Sequence, residues 1–170
     1  DESRTSSGWV SWATPAYQLS PVKGFAVNFG SSVAPVVIDI SGEVNNGSLT
    51  AVVYNHNNTY TQGFNLMGNP YPSPIDWNAA AGWTKTNIDN AIYYFKASTT
   101  DEWAGTYSTY INGISSDPGV ATNIIPSMQG FFIHVASGTL PVTGTLGMTN
   151  SVRVTDLTHP LVKSEEKGSE

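Results

Sequence analysis

The residues of this 170-residue chain whose types could do chemistry are aromatic rings set among amides and carboxylates. Nine of its nineteen aromatics lie between Tyr71 and Asn123: Tyr71, Trp77, Trp83, Tyr93, Tyr94, Phe95, Trp103, Tyr107 and Tyr110. Exposed rings suit sugar recognition, because the C–H face of a pyranose stacks on a π face while neighbouring Asn and Asp side chains bond its hydroxyls. Trp83 and Trp103 stand among Gly, Thr and Asp, where a large ring is hard to hide. In the run AIYYFK, Tyr93 and Phe95 share one face and Ile92 and Tyr94 the other, so one tyrosine is core and one outward. In TYSTYI, Tyr107 shares a face with Ile111 and is the better core candidate, which leaves Tyr110 pointing away. Candidate ligand-binding residues are therefore Trp83, Trp103, Tyr94 and Tyr110, joined by Asn69, Tyr71, Asp76 and Trp77. The opposing reading is that these rings complete a second small core.

Asn69, Tyr71, Asp76 and Trp77 belong to one string, Asn69-Pro70-Tyr71-Pro72-Ser73-Pro74-Ile75-Asp76-Trp77. Three prolines in five positions fix φ and force an extended or turning path, with Tyr71-Pro72 a candidate cis bond. One reading is a rigid loop whose Tyr71 and Trp77 plug a sheet edge while Asn69 and Asp76 bond backbone amides. The other is a preorganised loop presenting those side chains to a ligand.

Signatures of catalysis are missing: no GxSxG elbow, no HExxH, no phosphate-binding glycine loop and no dinucleotide fingerprint. The histidines His56, His134 and His159 are far apart, and His134 alternates with Phe132 in FFIHV as a packing residue would. Asp76, Asp101 and Glu102 share the aromatic stretch, but nothing in their spacing demands a hydrolytic pair. The absence of cysteine rules out disulfides, thiol nucleophiles and Cys-based zinc sites. Asn87-Ile88-Asp89-Asn90 is oxygen-rich without a calcium repeat, so no metal or other cofactor is expected.

The elements that must position these rings are strands. Charged residues make up 12% of the chain, against about 25% typically, while Ser, Thr and Asn number 51. Thr favours strands and Asn, Gly and Ser favour turns. A net charge of −6 argues against nucleic acid as a partner, and no run approaches the roughly 18 apolar residues of a membrane span. The opening DESRTSSG lacks a signal peptide's apolar core. Strand-like runs recur at GWVSW (8–12), KGFAVNF (23–29), VVIDI (36–40), SLTAVVY (48–54), GFNLM (63–67) and AIYYFK (91–96), then at TYSTYI (106–111), QGFFIHV (129–135), LPVTGTL (140–146) and SVRVT (151–155). Asp76 can cap one short helix over WNAAA that Gly82 stops. The expected fold is an all-β, jelly-roll-like β-sandwich over 8–156, with 1–7 as linker and 157–170 as linker or disordered tail.

The chain also resembles itself. Gly8 to Pro15 lines up with Gly63 to Pro70, Pro21-Val22-Lys23-Gly24-Phe25 with Pro126 to Phe131, and Ile40-Ser41-Gly42 with Val142-Thr143-Gly144. Matches in the same order imply two copies, 8–62 and 63–156, the second enlarged by an aromatic-rich insert at about 71–123. Function tends to sit on such elaborations of a rigid scaffold.

The strings GFNLMGNPYPSPIDW (63–77), AIYYF and IIPSMQGFFIHV (124–135) resemble a module of large secreted proteins of the Bacteroidota, which commonly precedes a type IX secretion sorting domain. The likeness covers most of 8–154. It implies export to the medium or cell surface, a non-catalytic role and neighbouring domains in a longer parent chain. Composition and resemblance together lead to an extracellular carbohydrate-binding module that targets a larger enzyme or adhesin to polysaccharide or cell-surface glycan. The rival is a structural or adhesive spacer without a glycan ligand.

Overall fold

In a computed structural model the described residues are 2–11, 19–27, 41–98, 104–159 and 161–162. Ten strands run through them: β1 Leu49–Asn55, β2 Phe64–Gly68, β3 Ile75–Asp76, β4 Trp83–Thr86, β5 Ala91–Ala97, β6 Gly105–Ile111, β7 Ile114–Ser115, β8 Ile124–Ile125, β9 Gly130–His134 and β10 Val142–Met148. All pairings are antiparallel. A three-stranded sheet has the order β1-β10-β4, a five-stranded sheet the order β2-β9-β5-β6-β7, and β3 pairs with β8. The fold is all-β and consistent with a β-sandwich.

Alternation explains the core. Met67, Phe131, Ile133, Ile92, Tyr94 and Tyr110 project inward from the five-stranded sheet, while Val53, Leu146 and Met148 do so from the three-stranded one. Ile75, Ile125, Tyr71 and Trp77 join the same apolar cluster. At the edges of the sheets, Asn65 stands in for a backbone ladder: its amide nitrogen donates to the Tyr54 carbonyl at 2.9 Å, and its oxygen accepts from the Tyr54 amide at 3.4 Å. β1 and β2 are thereby joined side by side.

The runs at 48–54, 63–67, 91–96, 106–111, 129–135 and 140–146 became β1, β2, β5, β6, β9 and β10. SVRVT instead forms a short 3-10 turn, Asn150–Val152, capped by the Thr149 hydroxyl, followed by a bridge from Arg153 to Ile75. GWVSW makes no strand through Ser11, KGFAVNF contributes only the bridge from Lys23 to Met67 among its described residues, through Val27, and VVIDI lies outside the described residues. The helix over WNAAA does not form. Asp76 does accept the Asn78 amide at 2.8 Å, but burial of Trp77 and the left-handed Gly82, at φ 96°, turn the chain into β4 after one turn. The cis bond is Leu140-Pro141 rather than Tyr71-Pro72.

Two expectations of organisation need correction. The stretch 71–123 is no appendage, because it supplies β3 to β7, including β5 and β6 of the larger sheet. Nor are the ends plain linkers: Glu2 is buried, and Val162 exchanges hydrogen bonds with the Gln129 side chain at 2.6 and 3.4 Å. Two complete copies are not visible among the described residues. One local echo remains: Val22 and Met128, each two residues before a glycine of the matched strings (Gly24 and Gly130), both adopt left-handed φ, at 74° and 60°, and the segments they start flank β2 on opposite sides.

Tyr94 is fully buried, and its hydroxyl meets no hydrogen-bond partner among the described residues. A buried, unpaired hydroxyl opposes folding. Tyr94→Phe is expected to leave stability unchanged or raise it by up to about 1 kcal/mol, a thermal shift of about 2–4 °C in a chain of this size. Calorimetry checks it.

Candidate functional site

The string that drew attention in the sequence is a structural joint. The Asn69 amide nitrogen donates to the carbonyls of Ser73 at 2.9 Å, Ile125 at 3.2 Å and Pro126 at 2.9 Å, and its oxygen accepts the Tyr71 amide at 3.0 Å. The Tyr71 hydroxyl donates to the carbonyls of Gly47 and Met148, and the guanidinium of Arg153 lies 5.5 Å from its ring centre. Burial raises the Tyr71 phenol above its ordinary range, with Arg153 opposing. Trp77 donates through Nε1 to Asn90 Oδ1 at 3.1 Å and packs edge-on against Trp83 and Phe131. The Lys85 ammonium sits 3.5 Å from the Trp77 ring centre and donates to the Trp77 carbonyl at 2.7 Å. Burial lowers this amine to about 8, and the Asp76 charge only partly offsets the effect.

The proposed platform is therefore corrected residue by residue. Asn69, Tyr71, Trp77, Tyr94 and Tyr110 are buried and cannot meet a ligand from there. Trp83 is half-buried, with its Nε1 bonded to the Asp76 carbonyl at 2.8 Å. The Asp76 carboxylate holds the Asn78 amide and the Asn123 side chain. Trp103, with Asp101 and Glu102, lies outside the described residues. Tyr93 and Tyr94 fall on opposite faces of β5, and Tyr107 and Tyr110 on opposite faces of β6, as alternation predicts, but the inward side of β6 is the reverse of the expected one. Tyr107 is 56% exposed and Tyr110 8%.

What those strands turn outward is a second set of rings. Register places Phe64 opposite His134, Leu66 opposite Phe132, Phe132 opposite Tyr93, and Phe95 opposite Tyr107, all on the face away from the core. Ring centres lie 5.2 Å apart for Phe64 and Tyr93, 5.9 Å for Tyr107 and Phe132, and 5.2 Å for Phe95 and Tyr107. The N-terminal segment crosses this face and sets Trp9 edge-on to Phe132 at 6.5 Å. Val52 and Tyr54 of β1, Tyr60 and Lys23 wall an open groove of about 1180 Å³. In sequence, the clue was the side of FFIHV opposite Phe131 and Ile133; the consecutive apolar residues Phe131-Phe132-Ile133 concealed it.

Glu2 pins the crossing segment. Its carboxylate accepts from the amides of His56 at 2.7 Å and Gly63 at 2.5 Å and from the Thr61 hydroxyl at 2.9 Å, and stands 3.0 Å from His56 Nδ1. Desolvation pushes its pKa up, but these bonds together outweigh it and hold the group below the ordinary 4.5. The sign follows: a lowered carboxylate stabilises the fold fully above 4.5, and this contribution fades as pH falls through that value toward the folded one. Glu2→Gln is expected to cost about 2–3 kcal/mol near neutrality, the scale of bonds to a charged group, and progressively less in acid. Urea titrations across that pH range check it.

The His134 side chain is already engaged. His134 Nδ1 faces Asp89 Oδ2 at 2.7 Å and its Nε2 faces the Gln62 carbonyl at 3.1 Å, so neither nitrogen is turned to a substrate. Burial, then Asp89, raises the Tyr93 phenol, which keeps it a neutral donor. In the stretch considered for calcium, Asn87 bonds the Thr143 carbonyl and Asn90 accepts Trp77. No group of three His, Asp or Glu able to hold a metal occurs among the described residues.

A family model described as a domain of unknown function (DUF8693) matches residues 2–169. No curated protein and no solved structure matches the chain.

Proposed function

We infer the role from geometry, because the chain belongs to DUF8693, a family described as a domain of unknown function: it is a non-catalytic carbohydrate-binding module. One observation carries this reading, the aromatic groove on the outer face of the five-stranded sheet, floored by Phe64, Tyr93, Tyr107 and Phe132. A rigid sheet sets those rings at fixed spacing, so a sugar stacking on them finds a surface already organised. Trp9, 59% exposed, flanks the floor as a wall. Hydroxyl and amide side chains such as Thr59, Gln62 and Thr109 line the same groove and suit sugar hydroxyls. Both ring nitrogens of His134 already face partners, which supports a binding rather than a catalytic role.

The biological setting follows from the resemblance: a secreted or surface protein of the Bacteroidota type, with this module delivering an enzyme or adhesin to polysaccharide. Affinity electrophoresis of the full chain through plant, algal and host polysaccharides tests the role. At least one is expected to retard it, and Tyr107→Ala is expected to weaken that interaction about fivefold, the value of one stacking contact of about 1 kcal/mol. Passage through all of them without retardation overturns the reading. If a neighbouring domain of the parent chain were then captured on the same aromatic face, the spacer or adhesive role would take its place, since a large exposed apolar patch also marks protein contacts.

A further inference from the structure

We infer that the groove accepts a single chain of uncharged polysaccharide, as opposed to a polyanionic glycan or the flat face of a crystalline one. This rests on the sugar-binding reading and specifies its ligand class.

Charge selects first. Among the described residues lining the groove, Glu2 and Lys23 alone carry charged groups at neutral pH. The Glu2 side chain is 1% exposed and its oxygens already face four donor groups, so it offers a ligand nothing. That leaves one ammonium, Lys23, in a chain of net charge −6. A polyuronate brings a negative charge with every sugar, and one cation cannot offset the field that a net negative protein sets against it. An uncharged chain meets no such penalty.

Ring orientation selects next. A crystalline glycan face is planar and needs coplanar rings in a strip. Here Phe64 and Tyr93 stand at 81°, Tyr107 and Phe132 at 73°, and Trp9 and Phe132 at 86°. Rings so packed present alternating faces and edges, and Trp9 and Tyr60 rise beside them as walls. A flat surface touches only the rim, whereas one flexible chain can lie along the floor and turn its C–H faces to the rings in succession.

The test uses the full chain and four probes: soluble mixed-linkage β-glucan and galactomannan as uncharged chains, polygalacturonate as polyanion, and microcrystalline cellulose as flat solid. Retardation is measured at about 0.01 M and about 1 M salt, across which the screening length falls from about 30 Å to about 3 Å. Binding to an uncharged soluble chain is expected, changing less than about twofold with salt or in Lys23→Gln, and about fivefold in Tyr107→Ala. Binding confined to polygalacturonate, weakened by salt and by Lys23→Gln, overturns the inference and leaves sugar binding standing, as does binding confined to cellulose. Failure of every glycan, these and the wider panel, removes the sugar-binding reading itself.

Discussion

Trp77→Ala is expected to destabilise the fold by about 3–5 kcal/mol, the range for removing a large buried aromatic, and so to bring a chain of ordinary stability close to unfolding. The indole is 1% exposed and packs against Trp83 at 5.1 Å and the Lys85 ammonium at 3.5 Å, both on the following strand β4, and against Phe131 of β9, far along the chain, at 6.3 Å, measured between ring centres or from the nitrogen. Truncation leaves a cavity, orphans Asn90 Oδ1 and strips the buried part of Lys85 from its π face. Trp77→Phe is expected to recover part of the loss, since it refills most of the volume but not the hydrogen bond. Tyr107→Ala supplies the contrast, because its ring is 56% exposed and its removal falls within about 1 kcal/mol of neutral. Urea midpoints at constant slope separate the cases. A Trp77→Ala protein as stable as the parent would contradict the burial on which the core assignment depends.

That contrast shows how much could be read in the sequence. Alternation gave the all-β class and six of the longer strands, because period-2 patterning survives wherever one face is buried. It also separated Tyr93 from Tyr94 and Tyr107 from Tyr110. Which side faces inward is a different question, decided by register against a neighbouring strand: Tyr93 pairs with Phe132, which leaves Ile92 and Tyr94 on the same side as Phe131 and Ile133. When both faces of a strand carry rings, periodicity supplies no sign. The short strands β3, β4, β7 and β8 went unseen for a related reason, since two to four residues are too few to establish a period. Trp9 on the groove was illegible because its placement depends on Glu2, seven residues away, reaching the turn at His56 to Gly63.

Composition misled in one instructive way. Concentration of aromatics between 71 and 123 points to a ligand platform on an insert, yet that stretch builds the middle of the larger sheet. Rings there serve both sides: Tyr94 and Tyr110 fill the core while Tyr93, Phe95 and Tyr107 pave the outside. A sparsely charged, Ser-, Thr- and Asn-rich chain has few ion pairs with which to fasten its loops, and it uses amide side chains as substitutes for backbone. Asn65 does so between β1 and β2, and Asn69 within the proline-rich string.

Asn69→Ala should for that reason rank among the costliest polar substitutions, at about 2–4 kcal/mol. One amide group serves three carbonyls, those of Ser73, Ile125 and Pro126, and one backbone amide, that of Tyr71. The residue is 4% exposed, so water cannot replace those partners in the folded state, and each buried group left unpaired carries a penalty of about 1–3 kcal/mol. Relaxation of the loop lowers the sum, though three prolines within the five residues Pro70 to Pro74 limit how far it can move. Asn69→Asp is expected to be worse than Ala, because it keeps the acceptor for Tyr71 but turns a second oxygen toward the carbonyls. The measurement that decides between a structural and a ligand-presenting string is paired: urea midpoint and glycan retardation on the same variant, the latter at a temperature where the variant is still folded. A structural Asn69 lowers the midpoint and leaves retardation of the folded protein intact. Loss of retardation at an unchanged midpoint would return the string to the surface as a binding loop and displace the sheet face from that role.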